Sequence, residues 1–110
     1  MIAAGVLALA ACGAQPEATI TPEQSVLLAP ADARLAGLYE TSCKTCHTIA
    51  GSGAPLTGDA RAWAPRTKQG MATLVAHTVQ GFKAMPAGGQ CAACTAADYE
   101  ALIAFMSKEP

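Results

Sequence analysis

Aromatic residues are scarce in this sequence, with one Trp, two Tyr and two Phe among 110 residues. Five large rings are few for the core of even one small domain, and a domain of this size needs a staple or a bound group to become stable. Charge is scarce as well, at 14% of residues with a formal net of −1. That balance excludes nucleic acid as a partner, since a binder needs a basic excess to neutralise phosphates. No segment alternates apolar and polar residues with the period of a strand, so the domain is expected to be all-α. The chain is too short for a two-domain enzyme built on a large sheet. Nothing in its residue pattern marks a general acid, a nucleophile or a substrate pocket, and an enzyme is not expected.

The longest apolar run, from Ile2 to Ala11, carries no charge. It falls well short of the about 20 residues that span a bilayer, but it fits the apolar part of an export signal. Leu9-Ala10-Ala11-Cys12 is similar to a bacterial lipobox, in which the signal is cut before a cysteine that carries diacylglycerol. Residues 1–11 are therefore expected to be a signal segment and Cys12 a lipidation site. From Gly13 to Pro30 the composition turns to Ala, Gln, Thr, Glu and Pro without an aromatic residue. Prolines at 16, 22 and 30 forbid a continuous helix, which makes residues 12–30 a lipid-anchored flexible tether reaching about 25 Å on average.

Residues 31–110 read as three to four short helices joined by Gly/Pro loops. Asp32 caps a first helix in which Leu35, Leu38, Tyr39 and Ser42 share one face and lead into Cys43. Glycines and Pro55 break the chain between Ala50 and Gly58. Asp59 caps a short helix through Trp63 that is expected to stop at Pro65. Met71, Leu74, Val75, Thr78 and Phe82 mark the next helix, ended by Pro86. Thr95 and Asp98 form a capping-box pair ahead of a last helix with Tyr99, Leu102, Ile103 and Met106 on its apolar stripe.

The chemistry lies in Cys43-Lys44-Thr45-Cys46-His47. In C-x-x-C-H the two thiols add across the two vinyl groups of a haem, and a two-residue gap on a helical turn gives the sulfurs about the right separation. The histidine then sits under the iron as an axial ligand. A covalent haem would also supply the apolar bulk that the side chains lack. Two other readings use the same residues. A dithiol redox site needs a βαβ pattern, absent here. A four-cysteine zinc site could use the pairs 43/46 and 91/94, but their separation far exceeds that of a zinc ribbon and His47 would have no role.

Electron transfer without small-molecule binding needs a second axial ligand, and Met71, Met85, Met106 and His77 are the candidates. Met71 and Met106 lie on the apolar stripes of their helices, where packing accounts for them. His77 is rotated about 120° from the centre of its helix stripe, which turns it toward solvent. Met85 precedes Pro86, which pushes its backbone out of the helical region. It stands in a loop beside Gly88 and Gly89, where its thioether can turn inward.

Taken in order, CKTCH at 43–47, Gly53-Ala54-Pro55 through Gly58-Asp59, Ala62-Trp63-Ala64-Pro65-Arg66, Gly81-Phe82-Lys83-Ala84-Met85-Pro86 and Gly88-Gly89 before Cys91-Ala92-Ala93-Cys94 resemble class I cytochromes c, and within them the cytochrome c5 family. The resemblance implies a small cytochrome c fold around one covalent haem c, with His47 and Met85 as axial ligands. It implies that the Pro55 carbonyl accepts from the His47 ring, an arrangement that fixes tautomer and orientation. It implies contacts from Trp63 and Arg66 to the haem propionates. It also implies a disulfide between Cys91 and Cys94, closing a loop too small to add much unfolding-entropy stability but able to shape the turn beside Met85.

Residues 41–94 hold Lys44, Arg61, Arg66, Lys68 and Lys83 against Asp59 alone. This excess either balances the propionates or forms a mild positive ring that steers the domain to acidic patches on redox partners. The expected protein is a monohaem electron carrier on the periplasmic side of a bacterial membrane, shuttling single electrons between redox partner proteins. The alternative is a haem c subunit or accessory lipoprotein of a membrane oxidase or reductase.

Overall fold

The computed structural model of the chain describes residues 18–110, so the expected signal segment, Cys12 and the tether as far as residue 17 lie outside the described part. Among the described residues the fold is helical, in chain order α1 (Pro22–Ser25), α2 (Ala33–Thr41), α3 (Lys44–His47), α4 (Ala60–Thr67), α5 (Met71–Gln80) and α6 (Ala96–Ser107). A 3-10 turn over Ala87–Gln90 precedes α6. The one β feature among these residues is an isolated antiparallel bridge between Phe82 and Met85. The all-α expectation holds, and four of the helices have eight residues or more.

The expected caps form. Asp32 accepts from the Leu35 amide at 2.9 Å, and Asp59 accepts from the Ala62 amide at 3.2 Å. Thr95 and Asp98 satisfy each other's amides at 3.2 and 3.0 Å, completing the capping box of α6. The core gathers Tyr39, Trp63, Leu74, Leu102, Ile103 and Met106 from four helices.

Three local expectations change. The first helix does not run into Cys43: it ends at Thr41, and Ser42 turns the chain at φ −133° with its hydroxyl bonded back to the Leu38 carbonyl. Such back-bonding by serine competes with the helix ladder. The break sets Cys43–His47 on a separate turn. Second, α4 passes through Pro65 to Thr67. Proline removes one amide link, while the bonds on either side persist, Trp63 N–H to Asp59 O and Lys68 N–H to Ala64 O, both 3.1 Å. Third, α5 ends at Gln80 because Gly81 adopts φ +89°, well before Pro86.

Part of the segment expected to be a tether is packed instead. From Thr19 onward the chain packs on the domain: Ile20 is buried, and Ser25 is fully buried with its hydroxyl donating to Thr57 O at 2.7 Å. Pro22, expected to break a helix, instead opens α1 at a position where its missing amide costs nothing. Gly58 allows this approach. It has φ +89°, and a Cβ there would lie 2.9 Å from Leu28 Cδ1 and 3.0 Å from Ile20 Cδ1.

One ion pair that the sequence pattern left unread ties α2 to α6. Arg34 meets Asp98 through two nitrogens, at 2.6 and 3.2 Å. The hydrogen bond from Arg34, helped by the Thr95 amide, holds the Asp98 carboxyl well below the usual carboxylate range. A depressed carboxylate contributes stability above its unfolded pKa of about 3.9 and loses it as pH falls through the folded value. Urea midpoints should therefore drop with pH below about 4. Asp98→Asn should flatten this acid limb, and an undiminished limb in that variant would assign it to other groups.

Candidate functional site

A cleft of about 480 Å³ opens between α3, α5, α6 and the loops after α3 and α5. That volume lies within the about 300–1,000 Å³ of ligand and cofactor clefts. Its apolar lining includes Leu74, Leu102, Ile103 and Met106, while Arg66 and Lys83 are its only formally charged lining residues.

Cys43, Cys46 and His47 reach the cleft together because α3 is a single turn whose first bond runs from the His47 amide to Cys43 O at 3.1 Å. Both cysteines are free thiols. Burial pushes the Cys43 thiol pKa up.

His47 is held from several sides. Its Nδ1 lies 2.8 Å from Pro55 O, and because a carbonyl can only accept, Nδ1 carries the proton and Nε2 keeps its lone pair. Burial lowers the pKa of the ring, the nearby Arg66 charge lowers it further, and the Pro55 bond opposes both. The imidazole is thus neutral, the form that ligates metals. Its face stacks on Trp63, with centroids 5.5 Å apart at 20°. The main-chain oxygen of His47 accepts from the Thr57 amide at 2.7 Å.

Trp63 is fixed by its ring nitrogen. Its single N–H donates to Leu56 O at 3.0 Å in a buried bond, so that donor is not available to a propionate. Trp63 lines the cleft as a wall behind His47 instead. Arg66 also lines the cleft, with one of a guanidinium's five donors spent on Ala62 O.

Met85 lines the cleft from a tight turn. Its amide and carbonyl are both bonded to Phe82, at 2.9 and 3.0 Å, across Lys83 at φ +51°. Gly81 permits the fold-back, since a Cβ there would sit 3.2 Å from Met85 O and 3.1 Å from Ala87 N. Of the other candidates, Met106 is a buried core residue and Met71 packs against the core without lining the cleft. His77 does not simply face solvent: it is part of the lining and stacks on Phe82, centroids 4.0 Å apart at 8°. Only the side-chain contact with Phe82, itself displaced beyond the helix end, could have announced this placement.

Cys91 and Cys94 are joined to each other, with Cα atoms 5.4 Å apart. This pairing removes them from any four-thiol set with Cys43 and Cys46. Tyr99 OH sits between Gly88 O at 2.9 Å and Cys91 O at 3.0 Å and pins the turn to α6.

Residues 30–106 match a family model described as cytochrome C oxidase, cbb3-type, subunit III. The cytochrome c-555 of Chlorobaculum tepidum is 46% identical over 72 residues, covering 62% of this chain and 67% of that protein. The chain belongs to the class I monohaem c-type cytochromes. Cytochrome c5 of Azotobacter vinelandii is 39% identical over 67 residues, covering 59% of this chain and 81% of that one. A solved mono-haem ferrocytochrome c from Shewanella putrefaciens superposes with a TM-score of 0.60 at 39% identity, over 69% of this chain and 94% of that one. A cytochrome c crystallised in an electron transfer complex with nitrite reductase gives the same TM-score at 37% identity, over 69% and 93%. This cytochrome therefore carries one covalent haem c, and the donor set fits it: two free thiols on one turn, a neutral imidazole with a free Nε2, and apolar walls.

The Trp63 bond is testable apart from the haem. Trp63→Phe keeps the ring face but removes one of the two bonds to the Leu56 carbonyl, which still accepts from the Asp59 amide at 3.0 Å, and should cost about 0.5–1.5 kcal/mol in urea unfolding. A loss below a few tenths would show that the Asp59 bond alone satisfies the carbonyl.

Proposed function

We propose that this electron-transfer cytochrome shuttles single electrons between redox proteins in the bacterial envelope, with Cys43 and Cys46 as thioether attachments and His47 and Met85 as axial ligands. The observation that carries the reading is the Nδ1 bond from His47 to Pro55 O, which commits one ring nitrogen and leaves the other as the donor within the cleft. The bound haem supplies a one-electron Fe(III)/Fe(II) couple. Pro55 and Trp63 hold the imidazole in place, and a ring whose geometry does not change between oxidation states keeps reorganisation small. A Met85 thioether is a neutral, soft donor and favours the reduced state. Arg66 and Lys83 give the cleft a positive edge suited to propionates and to acidic surfaces on donor and acceptor proteins.

Cys12 is proposed as the lipid anchor on the periplasmic side. The Leu9–Cys12 motif supports this reading, and among the described residues no helix is long and apolar enough to cross a membrane. A second reading, a haem c subunit or accessory lipoprotein of a membrane oxidase or reductase, is favoured by the oxidase subunit named in the matching family description. Cys12→Ser should move the protein from the membrane to the soluble fraction. Retention of that variant in washed membranes would favour the docked subunit.

Ligation is tested by substitution. Met85→Ala should admit carbon monoxide, which the native protein should bind poorly, and lower the potential by a fraction of the about 0.8 V that axial ligands span. His77→Ala should leave the visible spectrum unchanged. The opposite outcome in the two variants would exchange their roles.

A further inference from the structure

The segment that runs behind the proximal histidine has a partner outside the family-matched residues 30–106. Thr57 is almost fully buried, and each of its polar groups is bonded to a different element. Its amide donates to His47 O at 2.7 Å, its hydroxyl accepts from Tyr39 OH at 2.9 Å, and its carbonyl accepts from Ser25 Oγ at 2.7 Å. Two residues earlier on the same segment, Pro55 O holds the His47 ring. The His47 main chain and ring are thus gripped by one short run of backbone, and Ser25 fixes the far side of that run.

Ser25 itself is held in register. Ile20 is buried against Gly58, and Thr19 bonds Gly58 O and Asp59 Oδ1, both at 3.2 Å. Asp59 Oδ1 also caps α4, the helix that carries Trp63. By contrast, Leu27 of the same strap is 81% exposed. The strap therefore has an inner face bonded to the histidine's support and an outer face that touches little.

We propose that residues 19–28 form a strap that positions the proximal imidazole, with Ser25 acting through Thr57 and Pro55 on the orientation of His47. This deepens the function proposed above and rests on His47 being the iron's ligand. The physical route is the Nδ1–H bond. A ring that donates firmly to a carbonyl is a more basic ligand, and a more basic ligand favours the oxidised metal. Without Ser25, the Thr57 carbonyl loses its anchor, the 55–57 segment relaxes, and the Nδ1–H bond to Pro55 weakens. The couple then shifts toward the reduced form.

The test uses the full-length holoprotein and three variants. Ser25→Ala should raise the equilibrium constant for reduction by a fixed one-electron donor several-fold, where tenfold equals about 59 mV for one electron. NMR of the reduced protein should show the His47 Nδ1 proton exchanging several-fold faster. Ile20→Ala, which loosens the strap without touching its hydrogen bonds, should move both readouts in the same direction. Leu27→Ser should move neither. A Ser25→Ala or Ile20→Ala protein with lowered stability but parental potential and proton exchange would overturn the strap's positioning role and leave His47 ligation standing. A parent whose His47 resonances show no coupling to the iron would overturn both.

Discussion

One hydrogen bond, from His47 Nδ1 to the Pro55 carbonyl, decides what the cleft can do. An imidazole free to choose its tautomer presents either nitrogen to a metal. An imidazole with Nδ1 committed presents only Nε2. The bond persists because Pro55 is not a free loop residue. The carbonyls and amide of the next two residues are taken by Trp63, Ser25 and His47 itself, so the acceptor cannot drift away from the ring. Ser25, Tyr39 and Trp63 each bond to this short segment, and no buried side-chain nitrogen or oxygen among the described residues lacks a partner.

The two proposed ligands are held by different means. His47 sits on a helical turn buttressed by long-range side-chain bonds. Met85 sits on a tight backbone turn closed by its own two bonds to Phe82, with Gly81, the 3-10 turn and the Cys91–Cys94 link behind it. Tyr99, anchored in α6, reaches both Gly88 and Cys91 and relays the position of that last helix to the methionine side. The cleft is thus framed by α6 on one side and by two independently built supports elsewhere.

Much of this was legible in residue order. C-x-x-C-H states its chemistry through spacing alone, the capping residues Asp32, Asp59 and Thr95 mark the helix starts, and the Met-Pro pair places Met85 in a loop. What escaped the pattern was decided by contacts between residues distant in sequence. Arg34 and Asp98 lie 64 positions apart, and neither carries a local sign of the other. The bond from the Trp63 ring nitrogen to Leu56 O likewise has no sign in residue order. Residues 19–30 have the composition of a linker, and only the pocket made by Gly58, a glycine that looks like one loop breaker among several, turns Ile20 and Ser25 into interior residues. Pro65 misled in the other direction, because a helix with sound bonds on either side tolerates one missing amide.

The docking of Ile20 and Ser25 bears on how this molecule is prepared in the laboratory. Sequence similarity to the family begins at residue 30, an inviting place to start a recombinant gene. A protein begun there would lack an isoleucine side chain and a serine hydroxyl that are interior to the full chain, opening a trough along Leu56–Asp59 and handing the Thr57 carbonyl to water. Its colour would be right, and its electrochemistry would describe a different molecule.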